Sequence, residues 1–254
     1  MQQPERKYTY FISDLHIGAR YIGDTHAHER RLVAWLRSIA PTARSLYLLG
    51  DVLDYWYEYR NVVPRGYVRF LGTLAELADS GVEIIWLKGN HDIWIFDYLP
   101  SEIGLTVHDG VLTRRIDGRT FVMEHGDGVG EMRRSYRLMR RLFRNRVAQW
   151  LFSGIHPRWT VGFAHAWSSH SRLHGCRPDD STEPGTLPAD DTLVRWSEKY
   201  LADHQDVNYF IFGHRHRLIR QRLAHDSELI VLGDGFHLMT YGVWDGSAFH
   251  LCRI

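Results

Sequence analysis

Cysteine is scarce: 254 residues contain two, Cys176 and Cys252. Their number and spacing exclude a disulfide-stapled scaffold and a cysteine zinc site. Uninterrupted apolar runs are also missing, and none approaches the roughly 18 residues of a membrane span. Residues 1–7 hold no apolar stretch of the signal-peptide kind, so the expected location is the cytoplasm. Charge of one sign is absent as well. A formal net charge of +1 argues against a protein built to bind nucleic acid.

Histidine, by contrast, is plentiful, with 16 in the chain. Isolated ones such as His26, His28, His108, His225 and His250 are expected at the surface or in simple hydrogen bonds, because coordination needs partners. Others fall in five short polar signatures: Asp14-Leu15-His16, Gly50-Asp51-Val52-Leu53-Asp54, Gly89-Asn90-His91-Asp92, His125-Gly126-Asp127 and Gly213-His214-Arg215-His216. Each follows an apolar run of strand type, namely 8–12, 45–49, 83–87, 120–123 and 208–212. Side chains emitted from successive strand ends converge on one edge of an α/β sheet.

Between the strands, helical spacing is readable over 25–38 and 67–80, with Pro41 and Gly81 closing the two stretches. The order is βαβαβ, which predicts a sheet with helices on its faces and right-handed crossovers. From Leu105 the pattern changes to short strands, with a hairpin on Asp117-Gly118 between 111–116 and 119–123. Further strands are expected at 228–232 and 241–244, and a helix over 193–201. The predicted fold is a layered α/β/β/α sandwich formed by residues 1–129 and 192–254, interrupted by an insertion at 130–191. That insertion opens with an amphipathic stretch, 131–152, expected as one helix. Arginines 133, 134, 137, 140, 141, 144 and 146 mark one face and Tyr136, Met139, Leu142, Phe143, Val147, Trp150 and Leu151 the other. An aromatic piece with Trp159, Phe163 and Trp167, then a polar loop over 177–191, complete it.

Carboxylates, imidazoles and one carboxamide gathered at one edge suit a binuclear metal centre. Such a centre clamps the attacking and leaving oxygens of a phosphoryl group and lowers the pKa of water to the neutral range. Asp51 is the expected shared ligand. Asp14, His16 and one of the late histidines would complete the first ion, and Asn90, His125 and the other late histidine the second. Mixed oxygen and nitrogen donors favour manganese, with iron or zinc as alternatives. His91, beside a ligand but not counted as one, is the expected catalytic group, with Asp92 as the residue that orients it. Asp54 and Asp127 are expected to support the ligands.

With these residues in place, the sequence resembles the calcineurin-like metallophosphoesterases, whose ordered signature it carries in full. The resemblance implies that Asp14, His16, Asp51 and His216 hold one metal and Asp51, Asn90, His125 and His214 the other. Within that superfamily the chain is similar to the UDP-2,3-diacylglucosamine diphosphatases of lipid A synthesis. The matching stretches are residues 10–16, 39–41 with 46–51, Asp54-Tyr55-Trp56, and 143–146 with Gln149-Trp150. This resemblance implies cleavage of a nucleotide-lipid diphosphate to UMP and 2,3-diacylglucosamine 1-phosphate, with the insertion as a lid over the acyl chains. The best-known of those enzymes carry Arg where this chain has His91.

The insertion suits such a substrate. Tyr136, Met139, Phe143, Trp150 and Trp159 would line a groove for acyl chains, and Arg137, Arg140, Arg141 and Arg144 would meet phosphates or anionic headgroups. Peripheral association with the cytoplasmic face of the inner membrane follows as an expectation. The competing readings keep the chemistry on another nucleotide, phosphomonoester or phosphodiester, or retain the fold as a scaffold without chemistry. A scaffold has no need of the full ligand set.

Overall fold

The computed structural model describes residues 6–157, 159, 160, 162 and 183–254. β1 (Tyr8–Ile12), β2 (Ala43–Leu49) and β3 (Glu83–Leu87) run parallel. They are apolar almost end to end because both faces are covered. The crossovers are α1 (Thr25–Ile39) and α2 (Val68–Asp79). α1 starts where the Asp24 carboxylate accepts the Ala27 N–H at 2.8 Å. Its buried stripe, Leu32, Val33, Trp35, Leu36 and Ile39, packs with Phe70, Leu74 and Leu77 of α2 on the outer face of the sheet.

Next come α3 (Tyr98–Ile103) and β4 (Thr106–His108), which the sequence pattern does not announce; β4 joins β3 in parallel. The hairpin of β5 (Leu112–Ile116) and β6 (Arg119–Met123) turns on Asp117 and Gly118, both left-handed. β7 (Val207–Phe212), β8 (Leu218–Arg222) and β9 (Glu228–Leu232) complete a second sheet of order β5-β6-β7-β9-β8. β10 (Thr240–Trp244) and β11 (Phe249–Arg253) return to the first, whose order is β11-β10-β1-β2-β3-β4. Phe11, Tyr47 and Ile85 meet Phe121, Ile211 and Ile230 in the core between the sheets.

The segment between β6 and β7 departs from expectation. Residues 131–152 are not one helix but two, α4 (Arg134–Arg144) and α5 (Arg146–Ser153). The break is at Asn145, whose backbone is extended and whose side chain accepts the Val147 and Ala148 N–H groups, both at 3.0 Å. Helical spacing continues through the joint, but a local cap competes with propagation there and wins. α6 (Thr192–Asp203) follows and covers the second sheet with Leu193, Val194 and Leu201 against Phe210, Phe212 and Val231. The layers are therefore helix, sheet, sheet, helix. Of the aromatic piece and polar loop, Phe163, Trp167 and residues 177–182 lie outside the described residues.

Candidate metal centre

β1, β2 and β3 point their C-terminal ends to one edge, and β6, β7 and β9 are likewise parallel to one another. The loops leaving these ends bring all five signatures together. Asp14, His16, Asp51, His214 and His216 each sit at positive φ, between 44° and 65°. Such backbone is uncommon outside glycine, though aspartate and histidine tolerate it best, and it clusters at functional sites. Neighbouring loops hold the conformation. Asp14 N–H donates to the Gly50 carbonyl at 3.0 Å, His16 N–H to the Asp51 carbonyl at 2.9 Å, and Gly213 N–H to the His125 carbonyl at 2.8 Å. Gly50 is required at its place: a Cβ there would lie 2.7 Å from the Gly89 backbone and from His125 Nδ1.

Among the described residues, three groups place their ligand atoms within 4.8 Å of one another: Asp14 with His16 and His216, Asp51 with His125 and His214, and His16 with Asp51 and His91. His125 Nε2 is 3.3 Å from Asp51 Oδ2 and 3.2 Å from Asn90 Oδ1, which brings the carboxamide into the second group. His216 Nε2 lies 3.7 Å from Asp14 Oδ1, and His16 Nε2 is 3.8 Å from Asp51 Oδ2. His125 is oriented by donating from Nδ1 to the Leu49 carbonyl at 2.8 Å, which leaves Nε2 facing the carboxylates.

The donor set fits divalent cations. Asp14 Oδ1 and His16 Nε2 are buried without a hydrogen-bond partner, and both face the cluster. Burial raises the Asp14 carboxyl to about 7, because an isolated carboxylate is costly there. Burial also lowers His16, and it lowers His214 to about 4, helped by the His125 charge; both are thereby kept in the neutral form that binds metal. Burial opposes ionisation of Asp51 too, yet His125, His91 and His16 hold it well below the usual carboxylate range.

His91 adjoins Asp51 without joining the expected ligand set. Its backbone N–H donates to Asp51 Oδ1 at 2.8 Å, and its Nε2 is 3.9 Å from Asp51 Oδ2. The ring is oriented by the Asp54 carbonyl, which accepts from Nδ1 at 2.9 Å. Asp92 does not orient it. That carboxylate turns into the protein and accepts from Gly89 N–H, Val52 N–H and Trp86 Nε1 at 2.7, 2.9 and 3.1 Å, bracing the loops beneath the cluster. Asp54 takes up the role, its Oδ1 lying 3.6 Å from His91 Nδ1 and 3.4 Å from His16 Nδ1. Of the lone histidines, His28 and His108 bond to the carbonyls of Leu15 and Val111, and His250 pairs with Asp245.

A cavity of about 710 Å³ opens from the Asn90, His91 and His214 side and runs beneath α4 and α5. Tyr136, Met139, Phe143, Arg140 and Arg144 border it, as the sequence suggests. Arg137, Arg141 and Trp150 do not. Arg137 and Arg141 stand on the exposed face of α4, and Trp150, beyond the break at Asn145, is 72% exposed, as is Trp159. Arg140 donates from Nε to Asp127 at 3.0 Å, and Arg144 to Asp109 at 3.2 Å, so two of the expected phosphate-meeting arginines tie α4 to the core. Missing from the sequence expectation are Trp94, Leu142 and Phe152 on the cavity wall, and Asp234, whose Oδ2 is 3.8 Å from His216 Nδ1. Asp234 carried a readable signal, since Gly233-Asp234 follows β9 as Gly50-Asp51 follows β2.

A sandwich of two mixed sheets that gathers carboxylates and imidazoles at one edge defines a phosphoesterase of the metal-dependent class. The family model of the calcineurin-like phosphoesterases matches residues 9–218, and the chain belongs to that family. A protein of Porphyromonas gingivalis named UDP-2,3-diacylglucosamine hydrolase is 42% identical over 97% of this chain and 97% of its own length. One of the same name from Aeromonas hydrophila is 27% identical over 90% of each. Among solved structures, the E. coli phosphoesterase Yfce covers 97% of this chain and 92% of its own, at 16% identity and a TM-score of 0.45.

Proposed function

We propose that the protein hydrolyses the diphosphate bond of UDP-2,3-diacylglucosamine to UMP and 2,3-diacylglucosamine 1-phosphate. The observation that carries this reading is the join between the ligand cluster and the cavity beneath α4 and α5, whose wall is mostly apolar away from Asp127, Arg140, Arg144, Gln149 and the cluster itself. A phosphoester enzyme for small hydrophilic nucleotides has no use for such a space, whereas fatty acyl chains fill it. The relatives named for this activity support the same substrate.

Asp14, His16, Asp51 and His216 would hold one divalent cation, and Asp51, Asn90, His125 and His214 a second. Bound there, the pair supplies charge neutralisation for the phosphoryl oxygens and makes water acidic enough to attack at neutral pH. We assign manganese to both places, from the mixture of hard oxygen and imidazole donors. His91, its Nδ1 fixed by Asp54, presents Nε2 to a phosphoryl oxygen and stabilises or protonates the departing group. Asp92 braces the loops on which the ligands stand, and Asp127, which accepts from Tyr136 and Arg140, anchors α4 beside them.

We further assign the protein to the cytoplasmic side of the inner membrane as a peripheral protein. Leu138, Val147, Trp150 and Leu151 of α4 and α5 are 60% or more exposed, and arginines 133, 134, 137, 141 and 146 on or beside the same helices are exposed too. Aromatic and aliphatic groups amid arginines suit an anionic lipid surface. Among the described residues no helix is long and apolar enough to cross a membrane.

Two measurements test these readings. Removal of both acyl chains, as in UDP-glucosamine, is expected to lower kcat/KM by roughly 100-fold or more, from the lost apolar burial; equal turnover would contradict the groove. Trp150→Glu is expected to reduce co-sedimentation with phosphatidylglycerol vesicles, and unchanged sedimentation would contradict the membrane face.

A further inference from the structure

We propose that the rings of Tyr21 and Phe236 form the shelf on which the uracil base of the substrate rests, an inference that builds on the diphosphate hydrolysis proposed above. The side of Asn90, His91 and His214 opens into the apolar cavity, which takes the acylated sugar. His16 and His216, which do not border that cavity, have ring centroids 5.2 Å apart. Phe236 stands against both, at 5.7 Å and 86° from His16 and at 5.6 Å and 66° from His216. Tyr21 completes the corner, 6.1 Å from His16 and 5.9 Å and 67° from Phe236, so a base stacked on one ring meets the other at its side. Neither ring borders the acyl cavity.

Three parts of the substrate must be housed: acylated sugar, diphosphate and nucleoside. With the sugar in the cavity and the diphosphate across the cluster, the nucleoside emerges on the His16 and His216 side. There it meets the two rings. A base has a π-face and stacks on aromatic side chains, with an effect of roughly 10- to 100-fold on affinity.

The corner is built to stay in place. Asp234 Oδ1 accepts the His237 and Leu238 N–H groups at 2.7 and 2.8 Å and the Phe236 N–H at 3.3 Å. Gly235 N–H donates to the Asp14 carbonyl at 3.1 Å, which ties the loop to the segment carrying Asp14 and His16. Phe236 is thus fixed relative to the cluster while its ring remains only half-buried, as does that of Tyr21. A preorganised, partly open aromatic beside a reaction centre is the arrangement that stacking needs.

The test uses the manganese-loaded full chain and compares inhibition by UMP with inhibition by ribose 5-phosphate, which lacks the base. Wild type is expected to bind UMP at least about tenfold more tightly than ribose 5-phosphate. Phe236→Leu and Tyr21→Leu should each close most of that gap, with ribose 5-phosphate inhibition and bound metal per chain unmoved. Phe236→Trp, which keeps a stacking face, should preserve the gap and keeps the test available if Phe236→Leu does not fold. Absence of a gap in wild type, or equal weakening of both inhibitors, would overturn the shelf. Hydrolysis of UDP-2,3-diacylglucosamine by wild type is read separately: no UMP released overturns the underlying function, whereas release without base preference overturns the shelf alone.

Discussion

His91 shows what a single side chain contributes once its neighbours have fixed it. Nδ1 is committed to the Asp54 carbonyl, so Nε2 is the nitrogen left beside Asp51. Replacing it by alanine is expected to lower kcat by roughly 10²- to 10⁴-fold while both metals remain bound; a kcat within twofold of wild type would remove His91 from the chemistry. Asp117 makes a different case, one of pH. Its carboxylate accepts from Arg44 Nη1 and Nη2, both at 2.8 Å, and from Trp244 Nε1 at 2.9 Å, so the Arg44 hydrogen bonds hold it below the usual aspartate range. A carboxyl whose folded pKa is depressed stabilises the fold fully above its unfolded value, about 3.9, and loses that contribution as pH falls through the folded value. Asp117→Asn should therefore cost about 1 kcal/mol at pH 7 and progressively less below pH ~4. Urea unfolding at several pH values checks this, and a cost that grew on acidification would contradict it. The residues of the cluster were legible from sequence, because each follows a short apolar run bounded by turn residues, as a buried strand does. Asp92 was misread for the opposite reason: adjacency to His91 in sequence says nothing of direction, and its side chain faces away.

At the scale of elements, the joint between α4 and α5 decides which side chains reach the groove. Asn145 caps α5 through two N–H groups. Asn145→Ala is expected to cost about 1 kcal/mol of α5 stability, seen as faster hydrogen exchange of the α5 amides while the β1 to β3 amides keep their protection. Unchanged exchange in α5 would show that packing alone sets the break. Periodicity reads continuously through 131–152, so the break was invisible to it, and with it the outward turn of Trp150. α3 escaped for a related cause. Its N-terminus is satisfied by Glu58, buried and about forty residues away, whose carboxylate accepts the N–H groups of Asp97, Tyr98 and Leu99 at 2.9, 3.1 and 3.3 Å. A helix that depends on a distant carboxylate leaves no local signature. β4, β8 and β11 are sheet-edge strands added to partners already in place, and their short, mixed patterns carry little strand signal.

For the whole molecule, two parallel triplets of strands deliver their loops to one edge, and the ion pairs of that edge close only when opposing charge is present. Buried Asp14 and Asp51, the latter surrounded by imidazoles, imply that cations contribute to the fold as well as to the chemistry. Treatment with a chelator is expected to abolish hydrolysis and to lower Tm by several degrees, with manganese restoring both; a Tm indifferent to chelation would mean that the loops are set by protein contacts alone. Hydrolysis of the diphosphate is read from mass spectrometry of the products. Manganese-loaded protein incubated with UDP-2,3-diacylglucosamine should release UMP and 2,3-diacylglucosamine 1-phosphate in equal amounts, and Asp51→Ala should release neither. Absence of UMP from a preparation that hydrolyses a simple phosphodiester would contradict the account.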